Sequence, residues 1–403
     1  MLEERGSYLS GFRFFLSDDP VQQEIHFGPG CSDKVGEVAK ELGGCALVVT
    51  DPGIKAAGHP SKIINSLEAA GIKTFLYEKS EENPSDSSVQ ACANEALGLD
   101  VNLIIGLGGG SSLDTAKGAN FILTNGGVMK DYWGRGKADR PLLPMIAIPT
   151  TAGTGSECQS YALISDDYTH RKMACGDSGA LPKVTLLDPE LTLSQPFSVS
   201  AATAMDALAH TLESLVCTKR NKWSHHHASL GFFLLIQNME EVLQNPDHLD
   251  ARGALLLGAA HAGAAIERSM LGAAHALANP LTSQKGVIHG EAVSLTLPAV
   301  LAYNGNDHQV LKLYAELARC SGVILEEATD MQAFDCLFAK VLKLREISRL
   351  PSQLSRVGCQ TVDLEELARE ASEQWTAIFN PRKVNQAELL KIYQSIDTMA
   401  QTK

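Results

Sequence analysis

Four side chains in the second half of this 403-residue chain have the types and spacing for metal chemistry. In the run 204–210 a carboxylate, Asp206, and an imidazole, His210, stand at i and i+4, so both leave one face of a helix. His275 and His289 follow in short runs rich in Gly and Ala. Three imidazoles and a carboxylate suit a divalent transition metal that keeps one position open for a substrate. A D-x-x-x-H pair is also an ordinary helix-surface pair, and a lone histidine is often a satisfied core residue, so spacing alone leaves both readings open.

The first half holds a second constellation. A strand-like run at 101–105 breaks into Gly106, Leu107, Gly108, Gly109, Gly110, Ser111 and Ser112, and then becomes amphipathic through Asp114 and Lys117. Three consecutive glycines let backbone approach a ligand closely, and the following helix offers unpaired N–H groups and a positive dipole end to a pyrophosphate. Ser111 and Asp114 have capping-box spacing, which predicts the helix to start at Ser111. Upstream, the apolar run 46–50 ends at Asp51, a carboxylate at the C-terminal end of a strand, where α/β sheets hold ligands. Such an acid can accept the ribose hydroxyls of NAD and would repel the extra phosphate of NADP. A Rossmann fingerprint has its acid about 20 residues after the glycines. Here the acid precedes them, which disfavours a plain Rossmann domain.

These groups must be placed by two kinds of framework. From about 24 to 195, short β-branched runs at 46–50, 73–77, 103–106 and 145–148 alternate with helical periodicity at 32–42, 60–70, 85–97 and 112–123. That alternation predicts βα units around a mostly parallel sheet. After Pro196 the strand signal fades into Ala- and Leu-rich helical segments near 200–217, 224–244, 251–273, 291–304, 310–318, 331–344, 363–371 and 386–395. The expected fold class is therefore an α/β N-terminal domain over 1–195 and an all-helical C-terminal domain over 196–403.

Composition narrows the function classes. The formal charge is −13 and no basic run is long, which argues against nucleic acid or an anionic membrane as partner. No apolar stretch is long enough to span a bilayer, and the polar start at Met1 to Arg5 does not resemble a signal peptide, so a cytoplasmic location is expected. Nine scattered cysteines without a CxxC pair read as reduced thiols. The tract His225, His226, His227 reads as a solvated helix end, and His261 as a packed helix residue.

Taken together and in order, the motifs resemble the iron-containing (group III) alcohol dehydrogenase family over nearly the whole chain. The matching text is Phe27–Gly30, Thr50–Asp51, Asn83–Pro84, GGGSSLDTAK at 108–117, IPTTAGTGSE at 148–157, Asp188–Pro189 with Leu191–Thr192, MDALAH at 205–210, H-x3-N at 275–279, His289–Gly290 and Asn380–Arg382. The resemblance implies a dehydroquinate synthase-like fold with a metal-binding helical domain. It implies metal ligands at Asp206, His210, His275 and His289, with iron ahead of zinc. It implies NAD(H) contacts at Asp51, Asn83, Gly108, Gly109, Gly110, Ser111, Ser112, Asp114, Thr150, Thr151, Thr154 and Lys172. The implied reaction is hydride transfer between NAD(H) and a small primary alcohol or aldehyde, with the metal polarising the substrate oxygen, in an enzyme that is a homodimer by family habit. His275 and Asn279 are then the candidate catalytic positions.

Asn279 departs from the family pattern, because many members carry a second histidine there. An amide holds a water or hydroxyl but does not shuttle a proton near neutral pH. The departure keeps a hydroxyacid–oxoacid transhydrogenase in view, since relatives of that type also lack the histidine, and a metal-free reductase of the maleylacetate reductase type is the other related chemistry of the superfamily. A dehydroquinate synthase-like lyase would need a basic pocket, yet Lys285 is the one cation between His275 and His289.

Overall fold

The computed structural model describes residues 11–16 and 22–399. It divides into two compact units: the described residues up to Gln195 together with Arg252–Ala260, and Pro196–Ala251 together with the described residues from His261 onward.

The first unit contains strands β1 (Phe12–Leu16), β2 (Gln23–Phe27), β3 (Cys45–Val49), β4 (Lys73–Tyr77), β5 (Leu103–Gly108), β6 (Gly134–Arg135), β7 (Met145–Pro149), β8 (Tyr161–Ser165), β9 (Lys172–Gly176) and β10 (Val184–Leu187). Its helices are α1 (Val35–Ala39), α2 (Pro52–Ala56), α3 (His59–Ala69), α4 (Asp86–Ala96) and α5 (Gly110–Asn125). Seven strands form one sheet in the order β1-β2-β10-β7-β5-β3-β4, parallel throughout except for β1 on β2. The three-stranded sheet β6-β9-β8 lies apart from it.

Every residue of β3, β5 and β7 is buried, as a parallel sheet covered on both faces requires. The pleat sends alternate side chains to opposite cores. Leu47, Val49 and Ile104 join Leu113, Ala116 and Phe121 of α5 on one face, while Ala46, Val48, Leu103 and Ile105 join Ile63 and Leu67 of α3 on the other. The register levels the strand ends, with Gly108 opposite Pro149 and Gly106 opposite Val49. Residues just beyond β3, β5 and β7 therefore emerge side by side.

The second unit is built from α6 (Phe197–Val216), α7 (Lys222–Gln244), α8 (Leu249–Glu267, whose middle lies in the first unit), α9 (Ala273–Lys285), α10 (His289–Gly305), α11 (His308–Cys320), α12 (Asp330–Ile347), α13 (Leu364–Glu373) and α14 (Gln386–Met399). Two differences from the sequence expectation bear on function. The helix expected to run to 273 stops at Glu267, and α9, which carries His275, had no sequence signal. Its N-cap is Gly272, without a capping side chain, and Pro280 sits inside it, so both ordinary markers of a helix point the wrong way. The α5 helix starts at Gly110, one residue before the expected cap, with Gly109 at its N-cap. Ser111 is already helical and its Oγ accepts the Asn83 N–H, while Asp114 turns inward instead of closing a capping box.

Candidate active site

The middle of α6 is buried on all sides, which makes its polar residues conspicuous. Asp206, His210 and Glu213 stand at i, i+4 and i+7 and so share one face. His275 is the third residue of α9 and His289 the first of α10. The α10 helix approaches α6 closely at Gly290, where a Cβ would lie 2.4 Å from the Ala202 carbonyl oxygen.

These elements converge on one carboxylate oxygen. Asp206 Oδ1 lies 3.2 Å from His275 Nε2, 3.4 Å from His210 Nε2 and 3.8 Å from His289 Nε2. Asp206, His210 and His275 are buried and their ligand atoms form one compact group, with His289 half-buried at its margin. The His210 and His275 rings stack at 4.8 Å. Corners of a tetrahedron about 2.1 Å from a central ion are about 3.4 Å apart, so these spacings and this donor set fit a divalent transition metal.

The charges agree with the geometry. Burial pushes Asp206 toward its neutral form, but His210, His275 and His289 overcome it and hold the carboxyl well below the usual range. Burial likewise opposes charge on His275, yet the Glu213 and Asp206 carboxylates raise it to about 9.

Glu213 is the residue that the sequence did not announce. Its Oε2 accepts from His275 Nδ1 at 2.5 Å, and its Oε1 accepts the Ala274 N–H at 2.7 Å. An ionised carboxylate only accepts, so Nδ1 carries the proton and Nε2 is the atom turned toward Asp206. The available signal was the third member of the Asp206, His210, Glu213 stripe.

In the first unit, the residues beyond adjacent strands gather around the glycine loop. Asp51 caps α2 by accepting the Ile54 N–H at 3.0 Å and also accepts from Ser112 Oγ at 2.9 Å. Thr150 N–H donates to the Gly108 carbonyl at 3.0 Å. Gly108 has φ +146°, and a Cβ there would meet Ser112 Oγ at 2.6 Å and Asp51 Oδ2 at 3.2 Å. A Cβ on Gly110 would meet Thr154 at 2.6 Å, and one on Gly109 would meet Thr151 at 3.3 Å. The loop is thus a bare backbone cradle at the start of α5.

Asp114 and Lys172 sit differently. Asp114 is buried and accepts from Ser156 Oγ at 2.6 Å and from Leu163 N–H at 3.2 Å. Burial raises its pKa, opposed by Lys117 and Ser156. Lys117, also buried, donates to the Ser156 carbonyl at 2.6 Å and to the Tyr161 carbonyl at 3.0 Å, which ties α5 to the 150–161 segment. Lys172 opens β9 opposite Ser165, half-buried.

Residues 22–189 match the family described as iron-containing alcohol dehydrogenase, and residues 200–396 match its C-terminal domain. The chain belongs to the iron-containing alcohol dehydrogenase family. It is an alcohol and aldehyde oxidoreductase of that family, with its fold: an α/β unit with a mostly parallel sheet and a helical unit. It is 31% identical to the 1,3-propanediol dehydrogenase of Citrobacter freundii over 91% of this chain and 95% of that protein. It is 28% identical to the NAD-dependent methanol dehydrogenase of Bacillus methanolicus, over 91% and 96%. Among solved structures, an alcohol dehydrogenase from Oenococcus oeni superposes with a TM-score of 0.88 at 31% identity, covering 92% of this chain and 97% of that one.

The donor set of Asp206, His210, His275 and His289 fits a divalent metal. The glycine cradle fits a nucleotide, and beside it Thr150 Oγ1 is a buried hydroxyl with no hydrogen-bond partner among the described residues. The structure brings Asp51, Asn83, Gly108–Ser112, Thr150, Thr151 and Thr154 together around that loop, whereas Asp114 spends its carboxylate on internal bonds.

Asn279 lies one turn after His275 on α9, half-buried, with its Nδ2 donating to Gln374 Oε1 at 3.0 Å. The tract 225–227 differs from expectation. His227 is buried, and its Nδ1 bonds His261 Nδ1 at 2.8 Å across α7 and α8, because the helix turns that residue inward while His226 stays exposed. No helix among the described residues is long and apolar enough to cross a membrane.

Proposed function

We propose that the enzyme transfers hydride between NAD(H) and a small primary alcohol or aldehyde, using a divalent metal held by Asp206, His210, His275 and His289, iron in preference to zinc. The observation that carries this reading is the approach of three imidazole Nε2 atoms to the single oxygen Asp206 Oδ1. A divalent ion held there would supply Lewis-acid stabilisation of the alcohol or carbonyl oxygen, and bound NAD(H) would supply the hydride acceptor or donor.

The remaining roles belong to the chain itself. Asp206 supplies the negative charge among three imidazoles, and Glu213 fixes which nitrogen of His275 faces it. The amides at the start of α5, with Gly108, Gly109, Gly110, Ser111 and Ser112, receive the pyrophosphate. Asp51 uses one lone pair of each oxygen internally and keeps the others for ribose hydroxyls, which favours NAD over NADP. Asn83, Thr150, Thr151, Thr154 and Lys172 surround the nucleotide, and Asp114 holds the 150–161 segment in place beneath it. Asn279 orients substrate or water through its amide and leaves proton transfer to hydroxyls or water. The names of the methanol and 1,3-propanediol dehydrogenases support a small primary alcohol as substrate. Nine free thiols suit a reducing compartment such as the cytoplasm, and the family resemblance supports a homodimer.

The test is NADH oxidation by metal-stripped protein, with and without ferrous iron or zinc, against short aldehydes and hydroxyaldehydes, with NADPH in parallel. Turnover restored by metal and selective for NADH is expected. Turnover indifferent to metal would overturn the metal assignment in favour of a metal-free reductase.

A further inference from the structure

We propose that Glu213 is a positioning residue that sets the metal affinity of the site by holding the N-terminus of α9 and the His275 ring with one carboxylate. The inference rests on the metal-dependent reading above.

The α9 helix has no cap of its own. Gly272 precedes it without a side chain to offer, and the first orphan N–H groups are satisfied from elsewhere in the same unit: Ala273 N–H by Asn380 Oδ1 at 3.2 Å and Ala274 N–H by Glu213 Oε1 at 2.7 Å. Gly272 is needed for this arrangement, because a Cβ there would lie 2.9 Å from Asn380 Oδ1 and 3.1 Å from Glu213 Oε1. The second oxygen of Glu213 takes the His275 Nδ1 proton. Two consecutive residues, one through its backbone and one through its ring, are thereby tied to a single side chain that is 3% exposed. The ring cannot rotate about its χ angles without breaking the Nδ1 bond, and α9 cannot slide without breaking the Ala274 bond.

The two caps separate a positioning role from a merely structural one. Asn380 caps the adjacent N–H and pairs with Asn304, and none of its side-chain hydrogen bonds among the described residues goes to His275. Glu213→Gln keeps the volume of the side chain, but its single oxygen replaces only one of the two carboxylate oxygens that separately accept from Ala274 N–H and His275 Nδ1–H. Either the helix loses its cap, or the ring is met by an NH2 group that favours the other tautomer.

The experiment is a cobalt(II) titration of metal-stripped protein, read by its visible ligand-field spectrum and by competition with a chromogenic chelator. Glu213→Gln is expected to weaken binding about 10–100-fold and to change the spectrum, as loss of a carboxylate behind a ligating histidine does. Asn380→Ala is expected to lower the melting temperature while leaving the spectrum and affinity close to those of the unaltered protein. Glu213→Asp, which keeps the charge but not the reach to both partners, is expected to fall between them and serves where Glu213→Gln does not fold. Equal affinity and an unchanged spectrum in the Glu213 variants, or the same loss in Asn380→Ala, would overturn the positioning role alone. Absence of a cobalt spectrum in the unaltered protein would overturn the metal reading on which it rests.

Discussion

The helical unit contains two clusters of histidines, and they have opposite electrostatic character. In one, His210, His275 and His289 surround Asp206, with Glu213 behind His275. In the other, His227 and His261 hydrogen-bond each other through their Nδ1 atoms at 2.8 Å, stacked at 5.0 Å, with Trp223 against His227 and Arg268 over the Trp223 ring. Both are drawn from neighbouring helices and both lie in apolar surroundings. Burial opposes charge in each. The carboxylates raise His275 to about 9, whereas burial, reinforced by neighbouring imidazoles, lowers His227 to about 3 and His261 to about 4. Imidazoles alone make a neutral packed pair. Imidazoles around a carboxylate make a place for a cation.

The comparison breaks most visibly if its carboxylate is removed. Asp206→Ala is expected to weaken metal binding by at least about 100-fold, beyond the range typical of losing an outer partner, and to abolish metal-restored turnover. His261→Ala is expected to leave metal stoichiometry and affinity unchanged. Metal titration of the two variants checks both, and loss of metal in His261→Ala would show that the second cluster also holds an ion.

The same contrast explains what could be read before the fold was seen. Asp206 and His210 were legible as a pair because one helix carries both at i and i+4. The glycine loop and Asp51 were legible because strand ends and turn residues are local signals. The partner face of His275 was not legible, since α9 lacks a cap in its own sequence and contains Pro280; its cap is assembled from Glu213 and Asn380, which are 61 and 107 residues away. His227 was misplaced for the related reason that exposure depends on the neighbour: the inward turn of α7 meets His261 of α8, a contact 34 residues distant that no local pattern records. The short strands β1, β2, β8 and β9 gave no clear run, because edge and half-buried strands mix polar and apolar residues, and β10, although buried throughout, is only four residues long.

The second cluster can be tested through acid. Its two groups have folded pKa values below the 6.5 of the ordinary imidazole, so between about pH 4 and 6.5 the unfolded chain binds more protons than the folded one. Their contribution to stability is fully present above 6.5 and is lost as pH falls toward their folded values. Asp206, held below its ordinary range, titrates under this window and does not confuse it. Replacing His227 with Leu leaves His261 without its partner and lowers stability at pH 7, but it removes a proton-binding difference. The stability lost between pH 7 and pH 4.5 is therefore expected to be smaller by about 1–3 kcal/mol in the variant. Urea unfolding at the two pH values measures it, and an equal loss in both proteins would mean that the pair is not the acid-sensitive element.

The smallest effect concerns the member of the first cluster that most resembles the second. His289 stands at the margin of the metal group, 3.8 Å from Asp206 Oδ1 and partly open to solvent, at the first residue of α10. Gly290, packed against Ala202, sets where α10 begins and so where His289 stands. A ligand farther from Asp206 Oδ1 and partly open to solvent has more freedom to leave, so its loss costs less than the loss of Asp206. His289→Ala is expected to weaken cobalt(II) binding about 10-fold, near the low end of what even an outer partner contributes, and to free a coordination position visible in the ligand-field spectrum. An effect as large as that of Asp206→Ala would show that the metal draws His289 fully into its shell, and that the carboxylate-backed ligand is not the dominant one.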